Sequence, residues 1–202
     1  RENRLTYDVL DYYLELSKKE SDYLLYEEPM GTVSGVQTQI PVLLSEYQFQ
    51  SKEDVDAYLE LMKTTPDYFN SLIAFEQEKA QKGLFMASYT ADTVIEQCQA
   101  FIDMGDSNYL ISTFVDRIQK LTDLSESEKS DYIQKNAYML QTYVLPAYQQ
   151  LIKTVVELKD SGKNEEGLCY LPNGKEYYEL TVQASTGSAR TVPQLQKLTK
   201  NQ

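Results

Sequence analysis

From Ser125 to Asp160 the chain carries an unbroken apolar repeat of helical period, and no other stretch limits its possible folds as tightly. Ile133, Ala137, Leu140, Val144, Ala147, Leu151, Val155 and Leu158 recur at steps of three and four, which puts them on one face of an α-helix. Tyr132, Met139, Tyr143, Tyr148, Ile152 and Val156 widen that face, so the helix is expected to pack against more than one neighbour. Ser125 and Glu128 form a capping-box pattern, in which each side chain bonds the other residue's free amide. Gly162 is the expected stop. Pro146 lies inside the repeat, lacks an amide hydrogen and crowds the carbonyl of Thr142, so a kink is expected there.

The rest of the chain reads as shorter helices. Leu5, Val9, Leu10, Tyr13, Leu14, Leu16 and Tyr23 predict a first helix over about 3–24, broken at Glu27-Glu28-Pro29. Pro29, Gly31 and Gly35 mark a loop. Val36, Ile40, Leu43, Leu44 and Tyr47 then return to helical spacing, with Pro41 acceptable only in a first turn; an alternating strand from Thr32 to Ile40 is the competing reading. Ser51 with Asp54 signals a helix start carrying Val55, Tyr58, Leu59 and Met62. Thr65-Pro66 restarts the chain as cap and first helical residue, and that helix runs to Gly83. Thr90 is the expected cap of a helix through Val94, Cys98 and Ile102 to Gly105, and Tyr109 to Leu121 form the next. After an acidic loop from Asp160 to Gly167, Asn173 with Glu176 reads as a third cap, Gly187 and Ser188 as a break, and Val192-Pro193 as the start of a last helix running through Gln202. Short connections favour antiparallel neighbours. The fold class is therefore all-α, an antiparallel multi-helix array with one long kinked helix over about 125–160, and residues 1–202 form a single helical region. Solenoid-like stacking of helix pairs is a second possibility, although no fixed repeat is present.

Composition removes whole classes of chemistry. The chain has 202 residues, a net charge of -12 and no histidine. Phosphate binding needs clustered Lys and Arg, and here they are scattered, so no nucleic-acid partner is expected. No apolar run reaches membrane-spanning length. Without imidazole there is no His-ligated zinc, no Ser-His or Cys-His pair and no imidazole base. Cys98 lies on an apolar helix face and reads as a buried thiol; a bridge to Cys169 is open but unsupported by spacing. No phosphate-binding loop, dinucleotide glycine pattern, nucleophile elbow or calcium loop is present. Asp54 with Asp56, and Asp103 with Asp106, have the chemistry to touch a hard cation; solvated surface is the plainer reading, and the same weakness applies to a carboxylate-based hydrolase.

Seventeen tyrosines accompany the absence of tryptophan. Tyr58, Tyr138, Tyr143 and Tyr177 lie at core spacing, and the alternative to core packing is a tyrosine-lined groove for a peptide or glycan. Arg190, in a Gly-Ser-Ala-Arg-Thr loop, has the fork to hold a carboxylate; a surface salt bridge is the plainer reading. Gln37 and Thr38 either line a cleft or close their loop. Gln37, Thr38, Tyr177 and Arg190 are thus the cleft-lining candidates. No catalytic or metal-ligating residue is assigned.

Several segments together resemble a known family. They are Gly31-Thr-Val-Ser-Gly-Val-Gln-Thr-Gln-Ile-Pro41 with Leu43-Leu44, Ser51-Lys-Glu-Asp-Val-Asp-Ala-Tyr-Leu59, Pro66-Asp-Tyr68, Val144-Leu-Pro-Ala-Tyr148 and Gly167-Leu-Cys-Tyr-Leu-Pro-Asn-Gly-Lys-Glu-Tyr-Tyr178. In that order they resemble the N-terminal part of the bacterial domain-of-unknown-function family 885, over nearly the whole chain. The resemblance implies a helical, zincin-like zinc metallopeptidase, secreted or lipid-anchored outside the cytoplasm, whose His-Glu-x-x-His helix lies in a C-terminal half. That helix is absent here, so zinc is expected in the full-length protein and no cofactor in these residues. The implied partners are the C-terminal part of the same protein and a peptide substrate. A stand-alone helical binding module outside the cytoplasm is the alternative.

Overall fold

A computed structural model describes residues 2–200 of the chain. In order, its α-helices are α1 (Glu2–Ser21), α2 (Val36–Glu46), α3 (Lys52–Lys63), α4 (Thr65–Gln81), α5 (Ser88–Asp103), α6 (Tyr109–Ile118), α7 (Glu126–Met139), α8 (Leu145–Leu158), α9 (Gly174–Thr186) and α10 (Val192–Lys200). No strand occurs among the described residues, so the fold is all-α and Thr32–Ile40 is not the alternating strand. The expected run of the last helix through Asn201 and Gln202 lies outside the described residues.

The long helix is present, but its bend is built differently from a simple proline kink. A π-helical turn, Leu140–Val144, joins α7 to α8, and the Leu145 amide donates to the Leu140 carbonyl five residues back. The widened turn takes up the local mismatch that Pro146 introduces at the start of α8. One extra residue in a helix rotates the downstream segment by roughly 100°. The buried face accordingly changes register. Tyr132 and Asn136 point inward from α7, where the apolar repeat favours Ile133 and Ala137, whereas Ala147, Tyr148, Leu151 and Val155 line the buried face of α8. α8 packs against α5 and α4, α7 against α6 and α3, and the buried aliphatic and aromatic faces merge into one main core.

α2 departs from expectation at Pro41, which lies in the helix body and not in its first turn. A proline there cannot donate to the carbonyl four residues earlier, that of Gln37. Tyr148, wholly buried on α8, supplies the missing donor: its hydroxyl lies 2.6 Å from the Gln37 carbonyl oxygen. Burial drives the phenol pKa far up, so the group stays a donor.

The helix ends obey local chemistry in most places. Ser51 with Asp54 and Ser125 with Glu128 both form complete capping boxes. A single residue, Thr64, separates α3 from α4, so Thr65 and Pro66 are the first helical residues and Thr65 is not the cap. Nor does Thr90 cap α5. That helix starts at Ser88, whose amide and hydroxyl donate to Glu165 at 2.7 and 2.6 Å, a cap brought in from the acidic loop. Asn173 sits in the left-handed region, φ 51°, and makes no side-chain cap for α9. Gly174 comes next because a Cβ there would run into the Leu168 carbonyl.

A second, smaller core lies under the C-terminal elements. Tyr26, Leu84 and Leu171 form it, with Tyr23, Leu25, Leu168 and Tyr177 packed against it. Tyr23 and Tyr177 stack at 5.5 Å, and the Tyr26 hydroxyl donates to the Pro172 carbonyl. Of the tyrosines placed at core spacing, Tyr58 is fully buried and Tyr138 is exposed, because it falls on the solvent side of α7.

The main core also holds charge. Lys79 and Glu76, one turn apart on α4, are both buried. The Lys79 ammonium donates to the Glu27 carbonyl at 2.6 Å and lies 3.2 Å from Glu28 and 3.7 Å from Glu76. Burial outweighs Lys79 and pushes the Glu76 carboxyl from 4.5 up to about 7. The folded chain therefore keeps a proton that the unfolded chain releases near 4.5, so this group's contribution to stability falls as pH rises from about 4.5 to about 7 and is level above. Replacing Glu76 with glutamine should shrink the melting-temperature difference between pH 5 and pH 8 by several degrees, at about 2–4 °C per kcal/mol for a chain this size. An unchanged difference between wild type and variant contradicts the assignment.

Candidate functional site

Gln37 stands at the N-terminal turn of α2, on the face turned toward α5 and α8, and is 2 % exposed. Its side-chain amide donates to the Gly31 carbonyl at 2.7 Å and to Gln97 Oε1 at 2.9 Å, while Gln97 donates to the Thr32 carbonyl at 2.9 Å. Gly35 leaves no room for a Cβ, which would lie 2.4 Å from the Gly31 backbone nitrogen and run into the Gln37 side-chain amide. The two glutamines thus fasten the 31–35 loop to α5. Thr38 is partly exposed and its hydroxyl donates to the Gly35 carbonyl at 2.8 Å. Tyr177 belongs to the smaller core, and Arg190 is exposed in the connection between α9 and α10. The four candidates therefore fall in separate places: Gln37 and Thr38 at the start of α2, Tyr177 on α9, and Arg190 beyond it.

Two grooves lie elsewhere. The first, about 300 Å³, runs between α2 and the α3–α4 joint and is lined by Ile40, Leu43, Leu44, Leu61, Thr64, Thr65 and Tyr68. Leu43, Leu61 and Tyr68 are exposed on its rim. Thr64 spends its hydroxyl on the Leu61 carbonyl at 2.8 Å. Apart from the Tyr68 phenol, no titratable side chain lines this groove, so its chemistry is that of an apolar side-chain socket with a phenol at its edge. The second, about 410 Å³, opens between the 168–170 turn, α9 and α10, with Cys169, Tyr178, Val192 and Pro193 among its walls. Glu179 there accepts from the Val192 amide at 2.9 Å, tying α10 to α9. None of the four candidates lines either groove.

Three of the four acids in the acidic pairs have other occupations. Asp54 accepts from the amides of Gln50 and Ser51, and Asp56 accepts from the Tyr132 hydroxyl at 2.8 Å. Asp103 accepts from Gln99. Cys98 is buried, and desolvation pushes its thiol up to about 12. Cys169 is exposed, and the two are not bridged. Among the described residues no group of three or more His, Cys, Asp or Glu gathers where it could hold a metal ion. This chain's residues therefore do not fit a zinc centre of the His-Glu-x-x-His kind. No described helix is long and apolar enough to cross a membrane.

The polar residue that sequence reading missed is Arg117. It reaches from α6 to the end of α2 and donates to the carbonyls of Thr113, Leu44 and Tyr47 at 2.9, 3.0 and 2.6 Å. Its guanidinium lies 4.5 Å from the Phe49 ring centre and 5.0 Å from that of Tyr58. It thereby closes the C-terminal end of α2, whose last carbonyls have no helical partner. In the sequence it is a single basic residue in the last turn of a helix, and nothing local announces these distant acceptors.

Comparison with known proteins then places the chain. The family profile described as "Bacterial protein of unknown function (DUF885)" matches residues 1–202. No curated protein matches. Among solved structures, one described as "the crystal structure of the putative lipoprotein from Colwellia psychrerythraea" is similar, with a TM-score of 0.78 at 18% identity. The match covers 82% of this chain and 29% of that one, so this chain spans less than a third of that protein's length. At that identity the likeness is one of fold.

Arg117 supplies the sharpest test of this region. Arg117→Lys keeps the charge but loses the planar fork and the stacking, and should cost about 1–3 kcal/mol in urea unfolding, as buried carbonyls lose their donors. Wild-type stability in that variant contradicts the role given to Arg117.

Proposed function

Because this chain belongs to the DUF885 family, we propose that it is the non-catalytic N-terminal helical portion of a zinc metallopeptidase, forming one wall of its peptide-binding cleft. One observation carries the proposal: a chain with no histidine spans only 29% of a larger protein that shares its fold. A zinc site of the family's expected kind then has its ligands in the remainder, and this segment's part is to shape and hold. Its own residues offer an apolar socket between α2 and the α3–α4 joint, with Leu43 and Tyr68 on the rim, suited to one apolar side chain of an extended peptide. Of the polar candidates, Gln37 and Thr38 stand on α2, the helix that forms one side of this socket, whereas Tyr177 and Arg190 lie apart from it, on α9 and in the connection to α10.

The same reading places the protein outside the cytoplasm, secreted or lipid-anchored; the lipoprotein description of the Colwellia relative supports this. A stand-alone binding module is the second reading, favoured by the exposed apolar rim of that same groove.

The test uses the full-length parent protein. With zinc it should cleave a fluorogenic peptide library, a chelator should abolish the cleavage, and Leu43→Asp should raise KM several-fold while leaving kcat nearly unchanged. Cleavage that survives removal of zinc, or that residues 1–202 perform alone, overturns the proposal.

A further inference from the structure

The least satisfied surface of the molecule is α1. Its sequence is apolar on more than one side, and a helix of that kind is normally covered. Here Leu16 alone among its aliphatic side chains is buried. Leu5 is 70% exposed, Leu10 53% and Leu14 62%, with Tyr7, Val9 and Tyr13 also open. On its inner side α1 meets α9, where the Tyr12 hydroxyl reaches the Gln183 carbonyl at 3.5 Å. Leu10, Leu14 and Tyr7 fall within about 60° of one another around the helix, on the side opposite Leu16 and Tyr12, and an exposed apolar face of that kind marks a surface made to be covered.

We infer that the open face of α1, with α9 and α10 beside it, is the docking surface for the remainder of the full-length polypeptide. The inference rests on the reading of this chain as part of a larger protein. Three observations select that occupant. A protein of this build has most of its length elsewhere, since this chain accounts for 29% of the Colwellia relative. α10 is tied at its start to α9 through Glu179, and α9 is the helix on which α1 lies, so α1, α9 and α10 are joined in one succession of helices. α10 itself leaves Leu198 half exposed, and the 410 Å³ groove between it and α9 extends the same uncovered layer. A second copy is the weaker occupant. A net charge of -12 opposes self-association, whereas a tethered segment arrives at an effective concentration on the order of millimolar.

Single cysteines at positions 10, 14 and 130 of the full-length protein, in a Cys98→Ala, Cys169→Ser background, test this directly. Ser130 is exposed on α7 and serves as the reference. Leu10→Cys and Leu14→Cys should react with a maleimide at least ten-fold more slowly than Ser130→Cys, with unchanged melting temperatures showing that the variants fold. Reaction at the reference rate overturns the inference, and so does protection that disappears when the protein is diluted to a monomer, which assigns the face to a second copy. The readout is packing and not hydrolysis, so a protein without peptidase activity still decides it.

Discussion

The contact between the Tyr148 hydroxyl and the Gln37 carbonyl joins the two elements that organise this molecule. Pro41 removes the helical donor that Gln37 would otherwise use, and the carbonyl left bare sits beneath the main core, where water cannot serve it. A fully buried tyrosine on α8 fills that vacancy. The Gln37 side chain then holds the 31–35 loop and bonds Gln97 on α5, so one residue links α2, α5 and α8. An unpaired buried carbonyl costs more than an ordinary hydrogen bond returns, which makes this contact a condition on how α2 sits and not a minor addition to it.

What α2 fixes is the floor of the α2/α3–α4 groove. Leu44 is buried there while Leu43 faces out, and Arg117 ties the far end of the helix by binding the Leu44 and Tyr47 carbonyls. The polar groups of this region are thus spent on backbone acceptors, and the groove is left apolar. Asp54 and Asp56 are likewise engaged, in a helix cap and with the Tyr132 hydroxyl, and buried Lys79 lies against Glu76.

Much of the fold is legible in the sequence because local rules and tertiary packing agree. The capping boxes at Ser51 and Ser125 and the periodicity of 125–160 need nothing beyond neighbouring residues. Local rules fail where a distant group intervenes. Thr90 is not the cap because Glu165, far along the chain, reaches the Ser88 amide. Pro41 reads as a first-turn residue because the tyrosine that makes good its lost donor lies 111 residues beyond the Gln37 carbonyl it serves. Pro146 signals a bend, but the π-turn that precedes it has no local signature. The candidate residues show the same boundary: a glycine-flanked loop marks Gln37, yet its burial depends on α5 and α8, and Arg117 carries no mark in its own helix.

The arrangement is tested most directly by a double-mutant cycle in urea unfolding. Tyr148→Phe should cost about 1–3 kcal/mol in the wild-type background, since it strands the Gln37 carbonyl. With Pro41→Ala in place, the restored amide at residue 41 can bond that carbonyl itself, and the cost of Tyr148→Phe should drop to a fraction of its former value. Equal costs in the two backgrounds would contradict the claim that Tyr148 stands in for the donor Pro41 lacks.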